Sequence, residues 1–211
     1  MDRLVIKNTE KHFGKNGLNP VSFSLNNGEY LCITGESGCG KTTLLNIISG
    51  MLRPDSGEIL VDGKNIFTEL CEKERTKLRS TKIGYMMLGN VLIPELDVLN
   101  NIRMPIELSG RSIDKYELQK LLEILHITHI QKSYPSEVSG GEYRRVILAR
   151  TLLLHTDILI ADEPTSNLDA SSAEIVRYVL NEYADENHIL IVSTHDFLLT
   201  VQARKNLCMG H

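Results

Sequence analysis

The rhythm of apolar and polar positions changes several times along this chain. Residues 3–8 alternate weakly and Val21-Ser22-Phe23-Ser24-Leu25 alternates cleanly, so both predict strands of a small sheet. Asn26-Asn27-Gly28 then turns the chain into the continuous apolar run Tyr30-Leu31-Cys32-Ile33-Thr34, which reads as a buried strand. Residues 42–49 follow with Leu44, Leu45 and Ile48 at helical spacing, and Gly50 with Pro54 stops that helix. Residues 58–61 with Asp62-Gly63 predict a hairpin, residues 69–80 a charged helix with a solvated face, and residues 82–86 another strand.

Beyond residue 88 the pattern turns to loops and helices until about residue 154, which marks an inserted segment. Asp97 is placed to cap a helix from Val98 that ends at Pro105. Asp114 is placed to cap a second, with Leu118, Leu121, Leu122 and Leu125 on one face. Glycines at 140 and 141 open a long helix in which Val146, Ile147, Leu152 and Leu153 interrupt Arg144, Arg145 and Arg150. Residues 157–163 read as an apolar strand ending on two carboxylates. Ser171 or Ser172 is placed to cap a helix to Tyr183, and residues 188–193 form the final buried strand, before Thr194-His195-Asp196.

The chemistry gathers at the ends of these strands. Gly35-Glu36-Ser37-Gly38-Cys39-Gly40-Lys41-Thr42 fits G-x-x-x-x-G-K-[S/T] and lies between a predicted strand and a predicted helix, where a glycine loop presents backbone N–H groups to phosphate. Lys41 is then the side chain that reaches the β- and γ-phosphates, and the Thr42 hydroxyl a ligand for Mg2+. Asp162 and Glu163 end a strand that should reach the same sheet edge, so Asp162 is expected to hold Mg2+ through water and Glu163 to polarise an attacking water. His195 falls on that edge too, within reach of a γ-phosphate. Phe13, in His12-Phe13-Gly14, is an isolated aromatic in a polar loop, which equally suits a half-buried anchor.

Composition narrows the partners. The 211 residues carry 23 Lys+Arg against 27 Asp+Glu, a net charge of −4, so no basic field argues for nucleic acid as the main partner. Cys32, Cys39, Cys71 and Cys208 have no metal-binding spacing and read as free thiols of a reducing compartment. The N-terminal residues read as neither a signal sequence nor an anchor, and no apolar run approaches the length of a membrane span, so membrane work would need another chain.

Taken in order, GESGCGKT, VSGGE, ILIADEP, SNLD and STHD resemble the ATP-binding subunit of an ATP-binding cassette (ABC) transporter, over nearly the whole chain. The most specific element is Ser139-Gly140-Gly141, the core of the family's signature sequence. The resemblance implies an α/β fold: a P-loop NTPase core, mainly a parallel sheet flanked by helices, with an antiparallel β-subdomain and an inserted helical subdomain. Residues 1–88 and 155–211 would form the core with its β-subdomain, and residues 89–154 the helical part carrying the signature. The cofactors implied are ATP and Mg2+. Phe13 would stack on adenine, and Gly35, Glu36, Ser37, Gly38, Cys39, Gly40, Lys41, Thr42 and Thr43 would hold phosphates and metal. Glu163 would be the catalytic base and His195 the switch histidine. Ser139, Gly140, Gly141 and Glu142 would face the nucleotide of a second cassette, and Ser166-Asn167-Leu168-Asp169 would cross between subunits.

The implied partners are therefore a second copy or a related cassette, and transmembrane permease subunits, with the chain peripheral on the cytoplasmic face of a bacterial cell membrane. The subgroup resembled serves lipoprotein-releasing, macrolide and peptide-export systems. Two alternatives differ in class: an ATP-gated clamp with weak hydrolysis, and a soluble ABC protein acting on nucleic acid or the ribosome. The clamp is raised by Leu88, which aligns with a family glutamine although leucine neither donates nor accepts a hydrogen bond; Gly89 or Asn90 is the equivalent if the alignment shifts. Glu142 replaces the usual signature glutamine, and Cys39 inside the phosphate loop reads as a tolerated small residue or a redox-sensitive one.

Overall fold

The computed structural model describes residues 3–14, 16–89, 91–184 and 187–210. In chain order the elements are β1 (Leu4–Phe13), β2 (Asn16–Leu25), β3 (Tyr30–Gly35), α1 (Lys41–Ile48), β4 (Ser56–Val61), β5 (Lys64–Asn65), α2 (Glu72–Thr81) and β6 (Ile83–Met86). Then follow α3 (Val98–Leu108), α4 (Lys115–Ile124), α5 (Gly140–Leu152), β7 (Ile158–Asp162), α6 (Ala170–Tyr183), β8 (Ile189–Ser193), α7 (Phe197–Gln202) and β9 (Lys205–Met209). Four strands pair antiparallel in the order β2-β1-β4-β5, with short turns joining β1 to β2 and β4 to β5, whereas strands separated by helices form a five-stranded sheet, β6-β7-β8-β3-β9, whose pairs are all parallel.

Side-chain alternation divides the parallel sheet between two apolar layers. Leu31, Ile33, Ile158, Ile160, Ile189 and Ile191 pack with α1 and with Leu4, Ile6 and Ile59 of the antiparallel sheet. Cys32, Leu159, Ala161, Leu190 and Val192 face the opposite layer, built from α3 to α6. Strands buried on both faces read as unbroken apolar runs, and each fully buried leucine or isoleucine contributes ~1.5–3 kcal/mol. This sandwich holds the carboxyl ends of β3, β7 and β8 side by side.

Several boundaries differ from expectation for identifiable reasons. The first two strands are ten residues each, because irregularities between Ile6, Thr9 and Lys11 break the alternation while pairing continues to Phe13 opposite Asn16. Phe13 therefore ends a strand rather than sitting in a polar loop. The charged helix starts at Glu72 rather than residue 69, since the Glu74 carboxylate accepts the Cys71 N–H at 2.8 Å and closes the helix entrance there.

Helix α3 does not stop at Pro105. It continues to Leu108, with the buried Ile102 and Ile106 holding it against the core. Asp169, not Ser171 or Ser172, caps α6, its carboxylate accepting the Ser172 N–H at 2.9 Å. β7 ends at Asp162, one residue before Glu163. β8 is the final buried strand, as expected, and β9, whose partly exposed Leu207 and Met209 give a weak apolar signal, adds after it at the edge beside β3.

Candidate functional site

The phosphate loop leaves β3 at Gly35 and enters α1 at Lys41. Gly38 and Gly40 have φ of 84° and 99°, conformations costly for residues with a Cβ. A Cβ on Gly40 would lie 2.9 Å from the Gly17 carbonyl oxygen, so the loop packs directly against β2; at Gly38 a Cβ would meet nothing, and that backbone faces open space. No side chain caps α1, which leaves its first-turn N–H groups for an anion. Lys41 is buried, and its ammonium donates to the carbonyls of Gly35 at 2.7 Å and Glu36 at 3.1 Å, with His195 Nε2 3.4 Å away.

Beside this loop the strand order β7-β8-β3 brings two further ends together. Asp162 is 1% exposed, and its carboxylate accepts the Thr42 hydroxyl at 2.7 Å and the Ser193 hydroxyl. Glu163 has left the strand with φ 47°, a left-handed conformation costing on the order of 1–2 kcal/mol for a residue with a side chain. Its N–H still donates to the Ser193 carbonyl at 2.9 Å. Its carboxylate lies 3.5 Å from His195 Nε2 and 3.4 Å from the His195 N–H.

Two supports carried no recognisable signal in the sequence. Arg144 reaches from α5 to the carbonyls of Asp162, Glu163 and Pro164. Burial lowers its pKa, while the charges of Asp162 and Glu163 oppose that shift. Arg177 of α6 donates to Asp196 at 2.9 Å, and Thr165 donates to the same carboxylate at 3.0 Å. Burial would raise the Asp196 pKa, but the bonds from Arg177, Thr165 and the Leu198 N–H outweigh it and hold the group below the usual carboxylate range.

All of these ends open on one cavity of about 1100 Å³. Phe13, Ser37, Gly38, Gly40, Lys41, Thr42, Thr43, Asp162, Glu163 and His195 line it, as do Asn16, Gly17, Leu88, Leu168, Arg177 and Asp196. Gly35 and Glu36 lie beneath, holding Lys41. Cys39 does not line the cavity. Phe13 is half exposed at the rim, with Lys11 Nζ 5.8 Å from its ring centre. Leu88 is 51% exposed, Gly89 beside it has φ 80°, and Asn90 lies outside the described residues.

The signature residues stand apart from this cavity. Ser139 caps α5 in a reciprocal arrangement: its N–H and hydroxyl donate to Glu142 at 2.8 and 2.7 Å, and it accepts the Glu142 N–H at 3.3 Å. His129 approaches the other Glu142 oxygen at 2.9 Å. A Cβ on Gly141 would lie 2.4 Å from Ser172 Oγ, whereas one on Gly140 would meet nothing. Ser139, Gly140, Gly141, Glu142 and Asp169 do not line their own chain's cavity.

The residues present fit a nucleotide triphosphate with a hard divalent ion. The cavity is large enough, the uncapped helix and Lys41 supply positive potential, and the Thr42 hydroxyl and Asp162 carboxylate offer adjoining oxygen donors of the kind Mg2+ takes alongside water.

A family model described as ABC transporter matches residues 18–166. The macrolide export ATP-binding/permease protein MacB of Campylobacter jejuni subsp. jejuni serotype O:2 is 35% identical over 205 residues, covering 96% of this chain but 32% of that protein. This chain thus spans about a third of the macrolide export proteins it matches. The lipoprotein-releasing system ATP-binding protein LolD of Buchnera aphidicola subsp. Schizaphis graminum is 39% identical over 183 residues, covering 85% of this chain and 79% of that one. The dimeric bacterial ABC transporter cassette MJ0796 superposes with a TM-score of 0.87 at 29% identity, over 98% of this chain and 94% of its own. A post-hydrolysis form of that cassette, bound to ADP and Pi, gives 0.86 at 31% identity, over the same shares.

Proposed function

This chain belongs to the ABC transporter family, and we infer from that premise that it is an ATP-binding and ATP-hydrolysing subunit energising transport through separate membrane subunits. The observation that carries this reading is the convergence of Lys41, Thr42, Asp162, Glu163 and His195 on one cavity from three neighbouring strand ends. Cargo of the export class, as in the names of the macrolide and lipoprotein-releasing relatives, is the transport role proposed.

The chain's own residues divide the work. Phe13 at the rim offers an aromatic face for adenine. Backbone N–H groups from Ser37 to Thr43 and the α1 N-terminus hold the phosphates, and Lys41 turns its ammonium from Gly35 and Glu36 toward them. Thr42 and Asp162 would hold Mg2+, which would supply charge neutralisation for the phosphates when bound. Glu163 accepts a proton from the attacking water, and His195, beside both Glu163 and Lys41, donates toward the γ-phosphate.

A second cassette completes the site. Ser139, Gly140 and Gly141 lie outside their own chain's cavity, which supports a head-to-tail pair in which α5 of one copy faces the phosphates held by the other. Residues 89–154 are then the helical unit carrying that signature, residues 1–88 and 155–211 the nucleotide-binding core. Among the described residues no helix is long and apolar enough to cross a membrane, in keeping with a peripheral subunit on the cytoplasmic face that works through permease partners. The test is phosphate release from ATP by the purified chain with Mg2+, with and without a membrane partner. Turnover with ATP-dependent dimerisation is expected, and absence of nucleotide binding would refute the assignment.

A further inference from the structure

We propose that Arg144 is the positioning residue of the hydrolytic loop, the side chain through which the signature helix sets the backbone that carries Glu163. This rests on the reading of Glu163 as the base. Arg144 lies five residues after Ser139 on α5, and its guanidinium spans three consecutive carbonyls at the end of β7. It donates to Asp162 O at 3.3 Å, to Glu163 O in the shortest contact, and to Pro164 O at 3.3 Å, with Ser166 Oγ at 3.5 Å.

These are the residues where the chain leaves the sheet and Glu163 adopts φ 47°. A non-glycine residue stays in that region only where its surroundings hold it there. The local restraints include the Glu163 N–H bond to Ser193 O at 2.9 Å, the Ser166 N–H and hydroxyl donated to Glu163 O at 3.2 and 2.9 Å, and the His195 N–H facing the carboxylate at 3.4 Å. Arg144 adds side-chain hydrogen bonds that reach this loop from the signature helix. The neighbouring Arg145 turns instead to Ser172 on α6. A planar fork of five N–H donors suits three carbonyls in sequence, and a lysine ammonium does not.

The consequence is a mechanical link. α5 presents Ser139 to the opposite nucleotide at its first turn and grips the Glu163 loop one turn later, so engagement of the signature and alignment of the base occur on one rigid element. Arg144 touches no reacting atom; it acts through the main chain of Glu163.

The test compares Arg144→Ala, Arg144→Gln and Arg144→Lys in the full chain, with Glu163→Gln as control, by steady-state ATPase kinetics and thermal melts. Displacing the base by about 1 Å lowers kcat on the order of a hundredfold, so Arg144→Ala is expected to lose that factor with KM for ATP within about threefold of wild type. Arg144→Lys, keeping the charge without the fork, is expected to recover about tenfold of the loss. If the alanine variant does not fold, the glutamine and lysine variants carry the same split of kcat from KM. Wild-type kcat in folded Arg144→Ala or Arg144→Gln overturns the proposal, as does a rise in KM that accounts for the whole loss. If Glu163→Gln retains full turnover, the assignment of the base falls instead, and the proposal with it.

Discussion

Replacing Glu163 by glutamine separates chemistry from binding more cleanly than any other change at this site. The carboxylate has two long contacts, His195 N–H at 3.4 Å and His195 Nε2 at 3.5 Å, so an isosteric amide should cost no more than about 1 kcal/mol of stability. Asp162 keeps its bonds from Thr42 and Ser193, and Lys41 keeps its place over the loop. What is lost is a proton acceptor. A positioned general base contributes about 10²–10⁴ in rate, equivalent to about 2.7–5.4 kcal/mol of barrier. Phosphate release at saturating ATP and Mg2+ should therefore fall at least about a hundredfold, while the Kd for ATP stays within about threefold and light scattering shows an ATP-dependent dimer that persists. Turnover within threefold of wild type would refute the role of Glu163. A matching loss of ATP affinity would instead show that the carboxylate is needed to form the pocket.

Leu88→Gln puts a donor and acceptor on a half-exposed cavity position, so it should leave the melting temperature unchanged and raise ATPase activity about two- to tenfold, the worth of one neutral hydrogen bond of about 0.5–1.5 kcal/mol; an unchanged rate with partners present would count against a role for that position. Gly84→Ala, on buried β6, would bring a Cβ to 2.7 Å from Thr156 Oγ1 and 3.2 Å from the Thr151 methyl. Such overpacking should cost about 1–3 kcal/mol, read as a lower urea midpoint. The Glu142 carboxyl is held below its ordinary pKa, first by the Ser139 N–H, then by the Ser139 hydroxyl and His129. Its depressed folded-state pKa makes its contribution to stability complete above the unfolded value of about 4.3 and lost as pH falls through the folded one. Glu142→Gln should accordingly destabilise the chain most above the unfolded value of about 4.3, with the difference shrinking as pH falls below it in denaturant titrations at stepped pH.

The lining of the proposed nucleotide site was legible because its parts are written locally. Gly38 and Gly40 stand where a left-handed backbone is required, Asp162 and Glu163 stand where an apolar run stops, and each signal is complete within a few residues. The supports were not legible. Arg144 read as one of three arginines on a helix, and nothing in its neighbourhood along the chain distinguishes it from Arg145, which bonds elsewhere. Arg177 and Ser193 were silent for the same reason: their partners, Asp196 and Asp162, lie 19 and 31 residues away. At α6 the sequence pointed to Ser171 or Ser172 as the cap, and Asp169 took that place because its carboxylate reaches the Ser172 N–H.

What the sequence by itself determined is the alternation of buried strands with helices, the glycine loop, and the acids at a strand end, since periodic burial and turn chemistry are free energies of neighbouring residues. Tertiary structure decided which strands became neighbours, that β1 runs on past an irregularity to deliver Phe13, and that α3 runs through Pro105. It also brought Thr42 to Asp162 across 120 residues and Arg144 to the carbonyls beside Glu163. The physical reason is that these features are settled by competition among contacts from distant segments, and packing and hydrogen bonding then outweigh local preferences of about 1 kcal/mol or less.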